Sequence, residues 1–137
     1  MKNKALDKNE IVRLLKENKQ QVTASRLAIC EYVLVPKMHI TAQDVKRYLE
    51  VSFPNVSLAT VYNTLNMLVD VGLLRAIHIP DSQKVIFDST LGKHYHIYDK
   101  NTDMVYDFDS DRVKIDLNGL EGMQIDDFDI VINGHLA

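Results

Sequence analysis

The chain has 137 residues, 46% of them hydrophobic and 26% charged, enough for one domain or two small ones and too apolar for a disordered chain. No run approaches the roughly 20 apolar residues that cross a bilayer, and the opening MKNKALDKNE is too polar for a secretory leader, so a cytoplasmic protein with no membrane partner is expected. The net charge of −3 is unevenly spread: residues 1–84 carry +4 and residues 85–137 carry −7, a split that suggests a phosphate-facing first part and a cation-holding or solvent-facing second part.

In chain order, residues 7–18 read as a first helix with Ile11, Leu14 and Leu15 on one face. Lys16 and Arg26, in or just after it, are placed to reach a nucleic-acid backbone. Thr23 is the expected N-cap of a second helix over 24–35, which Pro36 stops. The only cysteine, Cys30, lies in its apolar pattern LAICEYVL and reads as a core thiol; one cysteine excludes an internal disulfide and a CxxC zinc site. Thr41 caps a third helix over about 42–51, and Pro54-Asn55 marks a turn.

The stretch VSLATVYNTLNMLVDVGLLR, residues 56–75, dominates the reading. Ser57 is a good N-cap, Leu58, Val61, Leu65, Leu68 and Val69 form an apolar helical face, and Gly72 is a helix stop. The opposite face offers Ser57, Thr60, Tyr62, Asn63 and Asn66, side chains that bond phosphates and base edges without repelling them. An amphipathic helix beneath a sheet is the plainer alternative. Residues 73–79 and 84–88, joined at Pro80-Asp81-Ser82, then read as wing strands, and Arg75 and Lys84 as further phosphate contacts. The chain is therefore expected to be α+β: a winged helix-turn-helix over 1–84, then a small α/β domain over 85–137 that pairs with a second copy.

In that second part, 94–99 and 104–108 alternate as antiparallel strands, 110–118 reads as a short helix, and 123–133 alternates as a half-exposed strand. His94 and His96, one residue apart in a strand, point to the same face. Two adjacent imidazoles begin a transition-metal site; Asp88 and Asp107, in strands expected to be neighbours, are able to complete it, and His39, in the turn between helices two and three, to join it. Nitrogen and oxygen donors without thiolate favour iron(II), manganese(II) or zinc over copper(I). Surface histidines on a strand are the alternative.

The run His39-Ile-Thr-Ala-Gln-Asp44, then PNVSLATVYNTL from Pro54, Gly72-Leu73-Leu74, Phe87-Asp88 and His94-Tyr95-His96 resembles the ferric uptake regulator (Fur) family over about residues 10–135. The resemblance implies a homodimeric, metal-dependent transcription factor, not an enzyme, that binds double-stranded operator DNA through Ser57, Thr60, Tyr62, Asn63, Lys16 and Arg26. It implies a regulatory site of His39, Asp88, His94, His96 and Asp107, holding Fe(II) or Mn(II) and taking Zn(II) in vitro, which closes the domains into a DNA-binding shape. Aspartate at 107 is similar to the peroxide-sensing branch, in which peroxide oxidises a ligand histidine, here His39 or His94.

Three departures stand out. The family's structural zinc cysteines are replaced by Asp99 and Thr102, and the second pair falls at or beyond Leu136-Ala137, so no structural zinc is expected and hydrophobic packing has to stabilise the dimerisation domain by itself. The family's additional sensory site is expected to be absent or altered, with Tyr95 and Asp126-Asp127-Phe128 where its carboxylate and histidine belong. The chain is also similar to the haem-responsive Irr branch, although Cys30 is followed by Glu31 rather than proline; haem at the histidines is the alternative cofactor. A non-haem metal enzyme built on two histidines and a carboxylate is the reading from a different class, and a DNA-binding module with a vestigial metal site is a third.

Overall fold

The structure is a computed structural model that describes residues 6–35, 38–90 and 92–137. The chain forms two compact units, one of Met1–His78 and Ser82–Leu91, the other of Ile79–Asp81 and Gly92–Ala137. The charge-based division after residue 84 falls inside the wing hairpin of the first unit.

In the first unit each helix begins at a side-chain cap. Helix α1 (Lys8–Glu17) starts at Asp7, whose carboxylate takes the Glu10 N–H while Glu10 returns a bond to the Asp7 N–H. Helix α2 (Ala24–Val33) starts at Thr23 and ends two residues short of the expected 35; Pro36, read as its stop, lies outside the described residues. Helix α3 (Ala42–Leu49) has a second reciprocal cap, Thr41 with Asp44, and Asp44 also meets Arg47 at 3.0 Å. Burial alone would raise the Asp44 pKa, but its bonds to Thr41 and Arg47 outweigh that and hold the carboxyl below the usual range.

Helix α4 (Leu58–Asp70) is capped by Ser57, whose Oγ accepts the Thr60 N–H at 3.0 Å. It ends at Gly72, where φ of +82° lets the Leu73 N–H turn back to the Leu68 carbonyl at 2.9 Å. Val61, Leu65 and Leu68 are fully buried with Ile29, Val33, Val45 and Leu15 in one core; each such side chain stabilises the fold by about 1.5–3 kcal/mol when buried. Thr64 is buried too, its hydroxyl satisfied by the Thr60 carbonyl at 2.8 Å, whereas Leu58 and Val69 are only partly covered.

Strands β2 (Arg75–His78) and β3 (Val85–Asp88) form the wing, and β1 (His39–Ile40) pairs with the other edge of β3, giving the antiparallel order β1-β3-β2. Strand β1 corrects the sequence reading, which placed His39 in a turn. Two residues are too few for a period of two to show.

In the second unit β4 (His94–Asp99) and β5 (Met104–Asp109) pair antiparallel, and β6 (Val131–Gly134) lies parallel to β4 on its other side. The expected helix over 110–118 is instead two isolated 3-10 turns, Ser110–Arg112 and Asn118–Leu120. The expected strand over 123–133 is paired only from Val131 to Gly134. Asp88 and Asp107, expected in neighbouring strands, lie on β3 and β5, in different sheets.

The reading that hydrophobic packing alone holds this unit is corrected by Asp99. Its carboxylate, 2% exposed, accepts the Asn101 N–H at 2.9 Å and the Thr102 N–H at 3.3 Å. Burial opposes its ionisation, but these bonds, the Thr102 hydroxyl and the Leu136 N–H together hold its pKa below the usual carboxylate value. Asp99 thus ties the β4–β5 turn to the chain end.

Candidate functional site

Helix α4 presents the polar face read from the sequence. Ser57 and Asn63 are exposed, and Thr60 and Tyr62 are partly exposed. Ser57 Oγ donates to Thr60 Oγ1 at 3.0 Å, so the two hydroxyls form one polar cluster at the helix start. The Tyr62 ring meets Phe87 edge-on at 6.5 Å, and its hydroxyl accepts from Gln43 Nε2 at 3.3 Å, which orients the phenol at the surface. Lys16 is exposed on α1. Arg26 is half-buried and donates to the Gln21 carbonyl at 3.1 Å, so it braces the loop before α2 as well as offering charge.

The metal-type ligands fall into two sets, one in each unit. In the first, His39 and Asp88 are directly paired residues of β1 and β3. His39 Nε2 lies 3.4 Å from Asp88 Oδ1, and the Asp88 side chain is wholly buried. The same Oδ1 accepts the Thr90 N–H at 2.8 Å, which fixes the carboxylate.

In the second, His94 and His96 project from the same face of β4 with ring centroids 4.6 Å apart. Asp107 on β5 is the direct partner of His96. Its Oδ1 lies 3.4 Å from His96 Nε2 and 3.7 Å from His94 Nε2, so three donors converge. His94 Nδ1 faces the Gly92 carbonyl at 2.9 Å, an acceptor that places the proton there and leaves Nε2 a lone pair. His96 is fully buried, an unfavourable place for two polar nitrogens unless both have a task.

Each residue of the two sets offers one imidazole nitrogen or carboxylate oxygen. Imidazole nitrogens and carboxylate oxygens, without thiolate, are donors that suit a divalent transition metal. Cys30 is no candidate: it is buried, and burial, with Glu31 nearby, pushes its pKa up to about 12. The position of the additional sensory site holds Tyr95 and Phe128, rings 6.3 Å apart, with Lys93 Nζ 4.4 Å from the Phe128 centroid. That corner is an aromatic and cation–π cluster.

Sequence reasoning missed three supporting groups: the Gly92 carbonyl behind His94, the carboxylate of Asp99 at the β4–β5 turn, and Asp129, whose Oδ1 lies 3.9 Å from His96 Nδ1. For the last the available signal was the extra acid in the run Asp126-Asp127-Phe128-Asp129.

A winged helix with a polar-faced fourth helix, in a chain that also carries His/Asp ligand sets, defines a metal-responsive, DNA-binding transcription regulator. The chain belongs to the ferric uptake regulator family, whose model matches residues 9–132. A peroxide operon regulator of Bacillus subtilis is 37% identical over 99 residues, covering 72% of this chain and 68% of its own length. The peroxide-responsive repressor PerR of Staphylococcus aureus is 31% identical over 123 residues, covering 88% of this chain and 80% of that protein. Among solved structures, the Vibrio cholerae ferric uptake regulator superposes with a TM-score of 0.67 at 26% identity, over 90% of this chain and 98% of that one.

Proposed function

We propose that the chain is a repressor whose operator binding depends on one Fe(II) or Mn(II) ion held by His39, Asp88, His94, His96 and Asp107, and that peroxide is its signal. The observation that carries the reading is the convergence of His94 Nε2 and the buried His96 Nε2 on one Asp107 oxygen, at 3.7 and 3.4 Å. Each unit alone offers an incomplete ligand set, so one ion drawing on both would make their pairing metal-dependent and shift the population toward the DNA-binding form. When bound, the ion supplies charge that offsets the two carboxylates and, as iron(II), sensitivity to peroxide.

The chain's own residues do the rest. The Asp88 and Gly92 contacts hold His39 and His94 in place, and oxidation of either imidazole removes a ligand and with it the preference for the DNA-binding form. Ser57, Thr60, Tyr62 and Asn63 are the groups proposed to meet DNA, with Lys16 and Arg26 on the phosphates. The relatives' description as peroxide regulators supports this reading over a metal enzyme. The exposed Met104 and Tyr106 on β5 and Ile132 on β6 are edge-strand apolar groups that a second copy would cover, which supports a homodimer.

The test compares Fe(II)- and Mn(II)-loaded protein before and after hydrogen peroxide, reading operator binding and the masses of peptides containing His39 and His94. Peroxide sensing predicts that only the iron form loses DNA and gains oxygen on one of these histidines. Iron sensing alone predicts that both forms keep DNA and unmodified histidines.

A further inference from the structure

Resting on the metal-site reading above, we propose that Asp129 is a positioning residue for His96. His96 is fully buried, and its two nitrogens face different carboxylates: Nε2 lies 3.4 Å from Asp107 Oδ1, and Nδ1 lies 3.9 Å from Asp129 Oδ1. The first side is the ligand side. The second lies toward the β6 end of the chain, where the His96 N–H bonds the Ile130 carbonyl at 3.1 Å and so fixes the backbone next to Asp129. Asp129 Oδ1 also accepts the Ile130 N–H at 2.8 Å, which holds the carboxylate in its place behind the ring.

A ligating imidazole needs a lone pair on one nitrogen and its proton on the other, and the group facing the second nitrogen decides which is which. For His94 that group is a backbone carbonyl, Gly92. For His96 it is a carboxylate. A negative charge behind Nδ1 favours the tautomer with its proton there and leaves Nε2 free to face the ligand side. At 3.9 Å the carboxylate is beyond hydrogen-bond length, so it acts on the neutral ring as a nearby negative charge. This gives the segment just before β6 a role: it carries the Asp129 carboxylate to the back of His96 on β4.

The test uses the full chain and the variants Asp129→Ala, Asp129→Glu and, as a neighbouring control, Asp127→Asn. Mn(II) affinity is read by competition with a metal-sensitive dye, and the His96 Nδ1–H is observed by long-range 1H–15N correlation in Zn(II)-loaded protein. Asp129→Ala is expected to weaken Mn(II) binding about 10- to 100-fold, Asp129→Glu to restore most of it, and Asp127→Asn to leave it within about twofold. The Nδ1–H resonance is expected to be observed in the wild type and to move upfield in Asp129→Ala. Wild type that binds Mn(II), with Asp129→Ala binding equally well or showing an unmoved resonance, overturns the role of Asp129 alone. Wild type that binds no Mn(II) overturns the metal reading itself.

Discussion

His39 and Asp88 face each other across β1 and β3, with Nε2 3.4 Å from a carboxylate oxygen that is wholly buried and already takes the Thr90 N–H at 2.8 Å. The carboxylate therefore has a structural role and, in the proposed function, a ligand role, and substitution separates the two. Asp88→Asn keeps an acceptor for Thr90 and is expected to leave the unfolding midpoint nearly unchanged while abolishing the metal response. Asp88→Ala leaves the part-buried Thr90 N–H without this acceptor and is expected to cost about 1–3 kcal/mol as well. Denaturant unfolding and Mn(II) titration of both variants check this.

The polar face of α4 gives a second prediction. Tyr62→Phe removes a surface hydroxyl that accepts from Gln43 and leaves the ring against Phe87. Stability is expected to change by less than about 0.5 kcal/mol, while operator affinity falls about five- to tenfold, the loss of one hydrogen bond to DNA. Lys16→Ala is expected to weaken binding to all sequences alike and to flatten the salt dependence by about one unit of slope. Binding isotherms at several salt concentrations separate the two effects. Leu65→Ala, at a fully buried position on the opposite face of the same helix, is expected to cost about 2–5 kcal/mol of stability.

These elements differ in how legible they were. Helix α4 showed itself because cap, apolar period and glycine stop agree at every level, and its observed span begins right after Ser57 as read. The shared face of His94 and His96 was equally plain, since two residues at i and i+2 on a strand point the same way whatever the rest of the fold does. What was not legible depends on long-range pairing. Strand β1 exists only because β3 has a free edge for His39 and Ile40. The alternation over 123–130 carries no strand pairing in this chain, and Met123 at 71% and Ile125 at 40% exposure show that its apolar period marks no face buried here. The run SDRVKIDLN places Val113, Ile115 and Leu117 at every second residue, a spacing that argues against the expected helix, and it holds only short 3-10 turns at its ends.

Asp99 predicts a response to acid. Its pKa is depressed in the folded chain, so its contribution is present above the ordinary aspartate value of about 3.9 and is lost as pH falls through the lower folded value. Asp99→Ala is expected to lower Tm at neutral pH by several degrees, and the difference from wild type is expected to vanish in strong acid, where both carry no charge at that point. Thermal unfolding followed from pH 7 downward measures it; a constant difference at every pH would show that the residue acts through packing.

Cys30 predicts silence. A thiol that is buried and pushed up to about 12 is protonated at pH 8 and out of reach of reagents. Alkylation or disulfide exchange is expected only after denaturation, and Cys30→Ala is expected to retain the full response to peroxide. Rapid labelling of the native protein would contradict the placement of Cys30 in the core.

The most direct measurement is the affinity for a palindromic, A·T-rich operator with and without Mn(II), in the wild type and in His94→Ala. The account predicts that Mn(II) raises wild-type affinity at least about tenfold, a coupling of roughly 1.4 kcal/mol, and that His94→Ala binds the operator at the metal-free level in both conditions. Equal affinity in all four measurements would contradict it, because the His/Asp ligands would then have no hold on DNA binding.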